Sequence, residues 1–222
     1  SGAPRQTLAG VERDLTELIG FGPEHVSAYE LSIEAGTPFA RGDARGQLRR
    51  PAETEVIRML ERVEARLAGA GYTRYETSNY ARPGWEAVHN RRYWERWPVL
   101  GLGMGAVSTD PPSPGRPFGA RRANPRRLED WLAGVRSGAG PPCEVLSAAV
   151  ARAEAVFLAL RTAQGLDAAR FAAEFGAPPR DFFARPIDEL VAAGLLVERR
   201  GGDLSLTPRG RLLADSVAEH FV

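Results

Sequence analysis

Over the first 140 residues, stretches with apolar side chains at helical spacing alternate with short runs rich in β-branched and aromatic residues. That alternation restricts the fold more than any other feature of the chain. Leu8, Val11, Leu15 and Leu18 follow Thr7 and the pattern stops at Gly20 and Gly22, which predicts an amphipathic helix. HVSAYELSI, from His25 to Ile33, reads as a strand ending at the turn-forming EAGTP. A second helix opens at Pro51, stacks Val56, Leu60, Val63 and Leu67 on one face and ends at Gly69 and Gly71. YTRYETS, from Tyr72 to Ser78, reads as the next strand, PVLGLGMGAVS as a third apolar run, and Leu128 to Val135 as a short helix. Helices alternating in this way with strands predict β/α units around a parallel sheet.

The composition changes at SGAGPP, Ser137 to Pro142, which sets an expected boundary between residues 1–140 and 141–222. Helices are expected near Leu146 to Thr162, Asp167 to Phe175 and Ile187 to Ala193. Two strands, Leu195 to Arg199 and Leu204 to Thr207, flank Gly201 and Gly202, a pair suited to a tight hairpin turn. Three helices and a two-stranded wing predict a winged-helix domain. That shape commonly reads DNA with its third helix. Yet residues 144–222 carry nine arginines against eleven acidic residues, a net charge of minus two, so no nucleic-acid partner is expected.

Composition removes other classes. The 29 basic residues are all arginine, so Schiff-base chemistry and a phosphate-loop lysine are excluded. The one cysteine, Cys143, forbids an internal disulfide and cannot build a thiolate metal site alone. No apolar run reaches membrane-spanning length and no signal peptide is recognisable, so the expected location is the cytoplasm, without membrane insertion. The chain starts at Ser1 with no initiator Met, which marks it as an expected piece of something longer.

Candidate site residues follow from the expected sheet. Glu30 falls inside HVSAYELSI, where a carboxylate is costly unless it pairs or faces a site. A structural salt bridge to an arginine is the competing explanation. The rim formed by C-terminal strand ends would gather Ser32, Glu34, Ser78, Asn79 and the turn GLGMGA. Gly101, Gly103 and Gly105 in that turn would let backbone approach a ligand. The turn does not fit a dinucleotide fingerprint, because Ala106 stands where the third glycine belongs and a proline-rich loop follows. Arg122 and Asn124 complete the set of site candidates.

GAPRQT, HVSAYELSIEAGTPF, GYTRYETSNYARPG, HNRRYW and GLGMGA, in this order, resemble the radical S-adenosylmethionine family of oxygen-independent coproporphyrinogen oxidase and its relative HemW, the haem chaperone. GLDAARFAAEFG and LVAAGLLVERRGGDLSLTPRGRLL resemble its C-terminal winged-helix domain. The resemblance implies an α/β fold: the C-terminal portion of a partial TIM-like β/α barrel followed by the winged helix. It implies adenosylmethionine contacts at Ser32 and Val107, with Gly101, Gly103 and Gly105 beside them. HemW-like sequences usually carry His where this chain has Val107, and Cys near Ala87, so those side-chain roles are lost here. The family's four-iron cluster needs three cysteines spaced CxxxCxxC, which this chain lacks. The first half of the barrel and the cluster are therefore expected to be missing, and the chain alone to be inactive in radical chemistry.

HNRRYW fits the HNxxYW motif tied to haem in the HemW branch, which favours the chaperone over the decarboxylating oxidase. The motif places haem on His89, Asn90, Tyr93 and Trp94. The surrounding AVHNRRYWERW supplies the three residue types haem asks of a protein: an imidazole for iron, aromatic faces for the ring and cations for the propionates. If helical, it sets His89 and Tyr93 on one face, with Arg91, Arg92 and Arg96 nearby. The competing explanation is core packing of Trp94 and Trp97 beside a hydrogen-bonded His89. The resemblance further implies transfer of haem to acceptor proteins. A winged-helix transcription regulator is the alternative from another class.

Overall fold

The computed structural model describes residues 1–222, which divide into two compact units, Ser1–Ala87 and Val88–Val222. In the first, α1 (Leu8–Phe21) starts where Thr7 Oγ1 accepts the Gly10 N–H at 3.1 Å and stops at left-handed Gly22. β1 (His25–Ser27), α2 (Pro38–Ala44), α3 (Glu53–Gly69), β2 (Thr73–Arg74) and β3 (Asn79–Ala81) follow. Val11 and Leu15 of α1 meet Met59, Val63 and Leu67 of α3 over Val26, Tyr72 and Tyr80, which forms this unit's core. The apolar stripe of α3 is the expected one with one change. Met59 is buried and its neighbour Leu60 only half-buried, a rotation of one position about the helix axis.

The sheet corrects the expectation of parallel strands. β3 lies between β1 and β2, and both pairings are antiparallel, with Val26 opposite Tyr80 and Thr73 opposite Ala81. The chain after β2 turns back on itself, the Tyr75 N–H bonding the Asn79 carbonyl at 3.2 Å, so the expected strand Tyr72–Ser78 keeps only Thr73–Arg74 and pairs with β3 just beyond it. The expected strand His25–Ile33 keeps strand form only to Ser27; beyond it the Ala28 N–H bonds the Ser78 carbonyl and the Leu31 N–H bonds the Ser1 carbonyl, each at 2.8 Å, without a continuing ladder.

The second unit contains α4 (Val88–Trp94), β4 (Val107–Asp110), β5 (Ala120–Ala123), α5 (Leu128–Ser137) and β6 (Cys143–Val145). It continues with α6 (Ala148–Leu160), α7 (Ala168–Phe175), α8 (Pro179–Ala192), β7 (Leu196–Glu198), β8 (Leu204–Leu206), α9 (Pro208–Leu212) and α10 (Ala214–Glu219). β4, β5 and β6 form an antiparallel sheet with β5 central. Its middle strand, ARRA, carries two adjacent arginines and so hides from a hydrophobic pattern. Each arginine leaves by a different face of the pleat and finds an acid. Arg122 grips Asp110 of β4 in a two-pronged pair of 2.7 and 2.9 Å, and Arg121 bonds Glu154 of α6. The composition break expected at residues 140/141 falls inside this unit, and β6 just beyond it pairs with β5.

Helices α6 and α7 and the β7–β8 hairpin stand close to where expected, and α9 and α10 follow in the chain. Val156, Leu160, Phe171, Ile187, Leu190, Leu196, Leu204, Val217 and Phe221 make one apolar core. α8 begins earlier than expected, at Pro179, and is kinked: Phe183 has non-helical angles one turn before Pro186, whose missing N–H removes a helical bond.

Candidate functional site

Within segment 87–97, Val88–Trp94 is helical, as α4, which meets the condition for His89 and Tyr93 to share a face. His89 and Tyr93 share a face one turn apart, with ring centroids 5.0 Å apart at 87°, an edge-to-face contact. Both are exposed, and neither nitrogen of the His89 ring bonds a protein acceptor. Asn90 and Trp94 are half-buried, and the Trp94 Nε1–H is enclosed without an acceptor. Trp97 is exposed beneath the Arg92 guanidinium, which lies 5.3 Å from its ring. Arg91 is paired along the helix with Glu95 at 2.8 Å.

The C-terminal end of the segment is anchored to α7. Arg96, held at a left-handed φ of 56°, pairs with Glu174 at 2.8 Å and covers the Phe175 ring, while Arg170 donates to the Glu95 carbonyl at 3.3 Å. One end is thus fixed and the His89–Tyr93 face is open. A neutral imidazole with a free nitrogen, an aromatic edge and nearby guanidiniums can ligate an iron porphyrin from one side. Of the rings in the segment, Trp94 is half-buried while His89, Tyr93 and Trp97 are exposed.

The glycine turn is built differently from the expectation. A Cβ on Gly101 would lie 2.6 Å from the Val107 carbonyl oxygen, so this glycine admits the chain's own backbone rather than a ligand. Asn124 clasps the turn: its Nδ2 donates to the Gly103 carbonyl at 2.7 Å and the Gly101 carbonyl at 3.4 Å. Gly103 and Gly105 adopt left-handed φ angles, and Leu100, Leu102 and Met104 project outward. Val107 opens β4 with its side chain exposed, and Ser32 is exposed on irregular chain after β1. Arg122 is committed to Asp110, holding that carboxyl below the usual carboxylate range mainly by its hydrogen bond.

Glu30 is exposed and outside any strand, which removes the reason for singling it out. Glu34 is exposed as well, and Ser78 is half-buried. The buried carboxyl in this unit is Glu76, 3 % exposed. Burial pushes it above the ordinary carboxylate range, against the opposing hydrogen bonds from Asn79, Ser78 and Thr77 and the charge of His25. Asn79, equally buried, accepts the Ser27 hydroxyl at 2.5 Å, and His25 Nε2 and the Tyr75 hydroxyl are 2.9 Å apart. Sequence reasoning reached Asn79 but missed Glu76. The signal was present, since Glu76 has the same strand parity as the buried Tyr72.

The residues present do not fit an iron–sulfur cluster: Cys143 is the one thiol, it is exposed, and no three His, Cys, Asp or Glu side chains converge as metal ligands. No helix is long and apolar enough to cross a membrane.

Residues 146–213 match the HemN C-terminal domain. The chain is 36 % identical over 219 residues to the heme chaperone HemW of Mycobacterium tuberculosis, covering 97 % of this chain and 52 % of that protein. It is 28 % identical over 223 residues to HemW of Bacillus subtilis, covering 100 % of this chain and 57 % of the relative. Among solved structures, coproporphyrinogen III oxidase (HemN) from Escherichia coli, a radical SAM enzyme, superposes with a TM-score of 0.75 at 21 % identity, over 99 % of this chain and 52 % of that one. The chain spans about half the length of the curated relatives it matches.

Proposed function

The chain belongs to the HemW and HemN family, and from that premise we propose that it is the haem-holding portion of a HemW-type haem chaperone. The observation that carries this reading is the open face of α4, where His89 keeps both ring nitrogens free beside Tyr93. His89 supplies one nitrogen to the iron of haem, the cargo. Tyr93 limits the ring's tilt by its edge, and Arg92 and Arg91 provide positive charge for the propionates. Trp94 and the Arg96–Glu174 pair hold the helix in place. An exposed one-sided ligand set suits a carrier rather than a store, because a second imidazole or thiolate from an acceptor protein can reach the iron and displace His89.

The remaining parts of the reading follow the family. The C-terminal elements α6, α7, α8 and β7–β8 correspond to its winged-helix domain, and residues 1–140 correspond to its β/α barrel. In the complete protein, adenosylmethionine and a four-iron cluster would complete the barrel's equipment. The cluster's thiolates must come from residues other than those of this chain, and the chain by itself performs no radical step. Adenosylmethionine would meet the chain at Ser32, Val107 and the Gly101–Gly105 turn. The cytoplasm is the compartment that fits a haem carrier with a free thiol, and haem-acceptor proteins are its partners.

Haemin titrated into the chain tests the central assignment. The Soret band should sharpen and shift on binding, and His89→Ala should weaken binding at least tenfold while far-ultraviolet dichroism stays unchanged. Equal affinity and an identical spectrum for the variant would remove His89 from the site.

A further inference from the structure

A cleft of about 450 Å³ opens between the start of α1 and the start of α3, with Arg5, Arg49, Arg50 and Arg58 around it and the buried Met59 among its lining residues. All four of these arginines are exposed, and acids meet little of their charge. Arg50 reaches Asp43 at 3.3 Å, but Arg5, Arg49 and Arg58 make no ion pair. Glu55, the acid lining the cleft, is occupied at the helix start, where its Oε2 accepts the Ala52 N–H at 3.1 Å. A backbone bond of 2.8 Å from the Arg5 N–H to the Arg49 carbonyl ties together the two segments that carry arginine. At the same place the first turn of α1 contains no acidic residue. The Leu8 and Ala9 N–H groups meet no protein acceptor, because Thr7 Oγ1 takes the Gly10 N–H.

The geometry points to a binding site for a phosphate monoester in this cleft. Three guanidiniums without an ion pair line one cleft, their mutual repulsion offset only in part by the Glu55 carboxylate, and an anion relieves the rest. One carboxylate would satisfy one of them in a two-pronged contact. A phosphate dianion, with three terminal oxygens, can engage several guanidiniums and the free N–H groups of α1 together. The cleft is far larger than a phosphate group, and its apolar lining of Leu8, Pro51 and Met59 provides a surface for the organic part of an ester. The site lies wholly in the first unit and does not depend on the haem reading of α4.

Isothermal titration of the full chain with inorganic phosphate and with phenyl phosphate, at matched ionic strength against chloride and succinate, tests the assignment. Phosphate should bind and raise the melting temperature beyond the chloride control, and phenyl phosphate should bind several-fold more tightly. The double variant Arg49→Gln, Arg58→Gln should lose at least tenfold in affinity, Arg58→Lys should retain part of it, and Arg136→Gln on α5 should bind normally. Dichroism of each variant establishes that it is folded. Phosphate binding no better than chloride, succinate binding as tightly as phenyl phosphate, or a folded double variant with unchanged affinity would each overturn the proposal.

Discussion

Glu76 is the residue where local chemistry and stability conflict most directly. A carboxyl 3 % exposed and pushed above its ordinary range by burial favours the protonated form in the folded state. Its contribution to stability is therefore fully present below the unfolded-state pKa and is lost as pH rises through the folded-state pKa. Replacing it with glutamine keeps an acceptor for the Ser78 N–H and removes the charge. Glu76→Gln should accordingly raise the melting temperature near neutral pH, with the gain shrinking toward acidic pH. Melting curves across pH 4 to 8 check this, and a gain that grew on acidification would reverse the sign of the argument. The same scale shows what a sequence makes legible. Glu30 drew suspicion because a strand was expected around it, and the suspicion lapsed once the strand ended at Ser27. Glu76 was legible by strand parity, but the surrounding polar letters of YETSNY concealed it. Asn124 could be named from the sequence, whereas its job of clasping Gly101 and Gly103 depends on β5 returning beside the turn.

At the scale of elements, α1, α3, α6 and α7 and the β7–β8 hairpin were readable because each has its own cap or turn residue and its own apolar period. Strand direction was not. Helix–strand alternation ordinarily accompanies parallel pairing, but β2 and β3 are too close in sequence for a crossover and pair as a hairpin, and β1 adds antiparallel to β3. β5 escaped because its two arginines are satisfied by acids on separate elements, which no local window reveals. The charge pattern of α8 leads to a prediction. Its segment RPIDEL sets one arginine beside two acids, Arg185 is paired with Glu189 at 2.7 Å, and Arg180 is held by Asp188 and Glu198. An element whose cations are already paired releases few counterions from DNA. Random duplex should not be retarded by this protein at moderate salt, and micromolar binding that falls steeply with added salt would contradict that expectation.

At the scale of the whole molecule, the two units differ in how completely each closes on itself. The C-terminal core from Ala155 to Phe221 is continuous and uses residues from α6, α7, α8, both hairpin strands and α10. Its buried members all lie downstream of Leu146, and one ring at its edge, Phe175, also stacks on the upstream Phe118 with centroids 5.6 Å apart. A polypeptide of residues 146–222 should therefore be monomeric and unfold cooperatively. Within it, Leu190→Ala, at a site 2 % exposed, should cost about 2–5 kcal/mol in denaturant unfolding. A non-cooperative transition or aggregation of that polypeptide would show that the core depends on β4–β6. The first unit ends its sheet in two edge strands, β1 of three residues and β2 of two, and so has less to close it. The fold match to half of a longer enzyme is consistent with that contrast.

The account as a whole stands on His89 as the ligand that α4 presents to haem, and chemical rescue tests it most directly. His89→Gly leaves the iron's ligand position open to an added imidazole, at a distance in sequence from the Arg96–Glu174 pair that anchors the segment. Resonance Raman and Soret spectra of the haemin-loaded chain should show an iron–imidazole signature that is lost in His89→Gly and returns when free imidazole is added. A variant that keeps the signature without added imidazole would contradict the account, because another group would then be holding the iron.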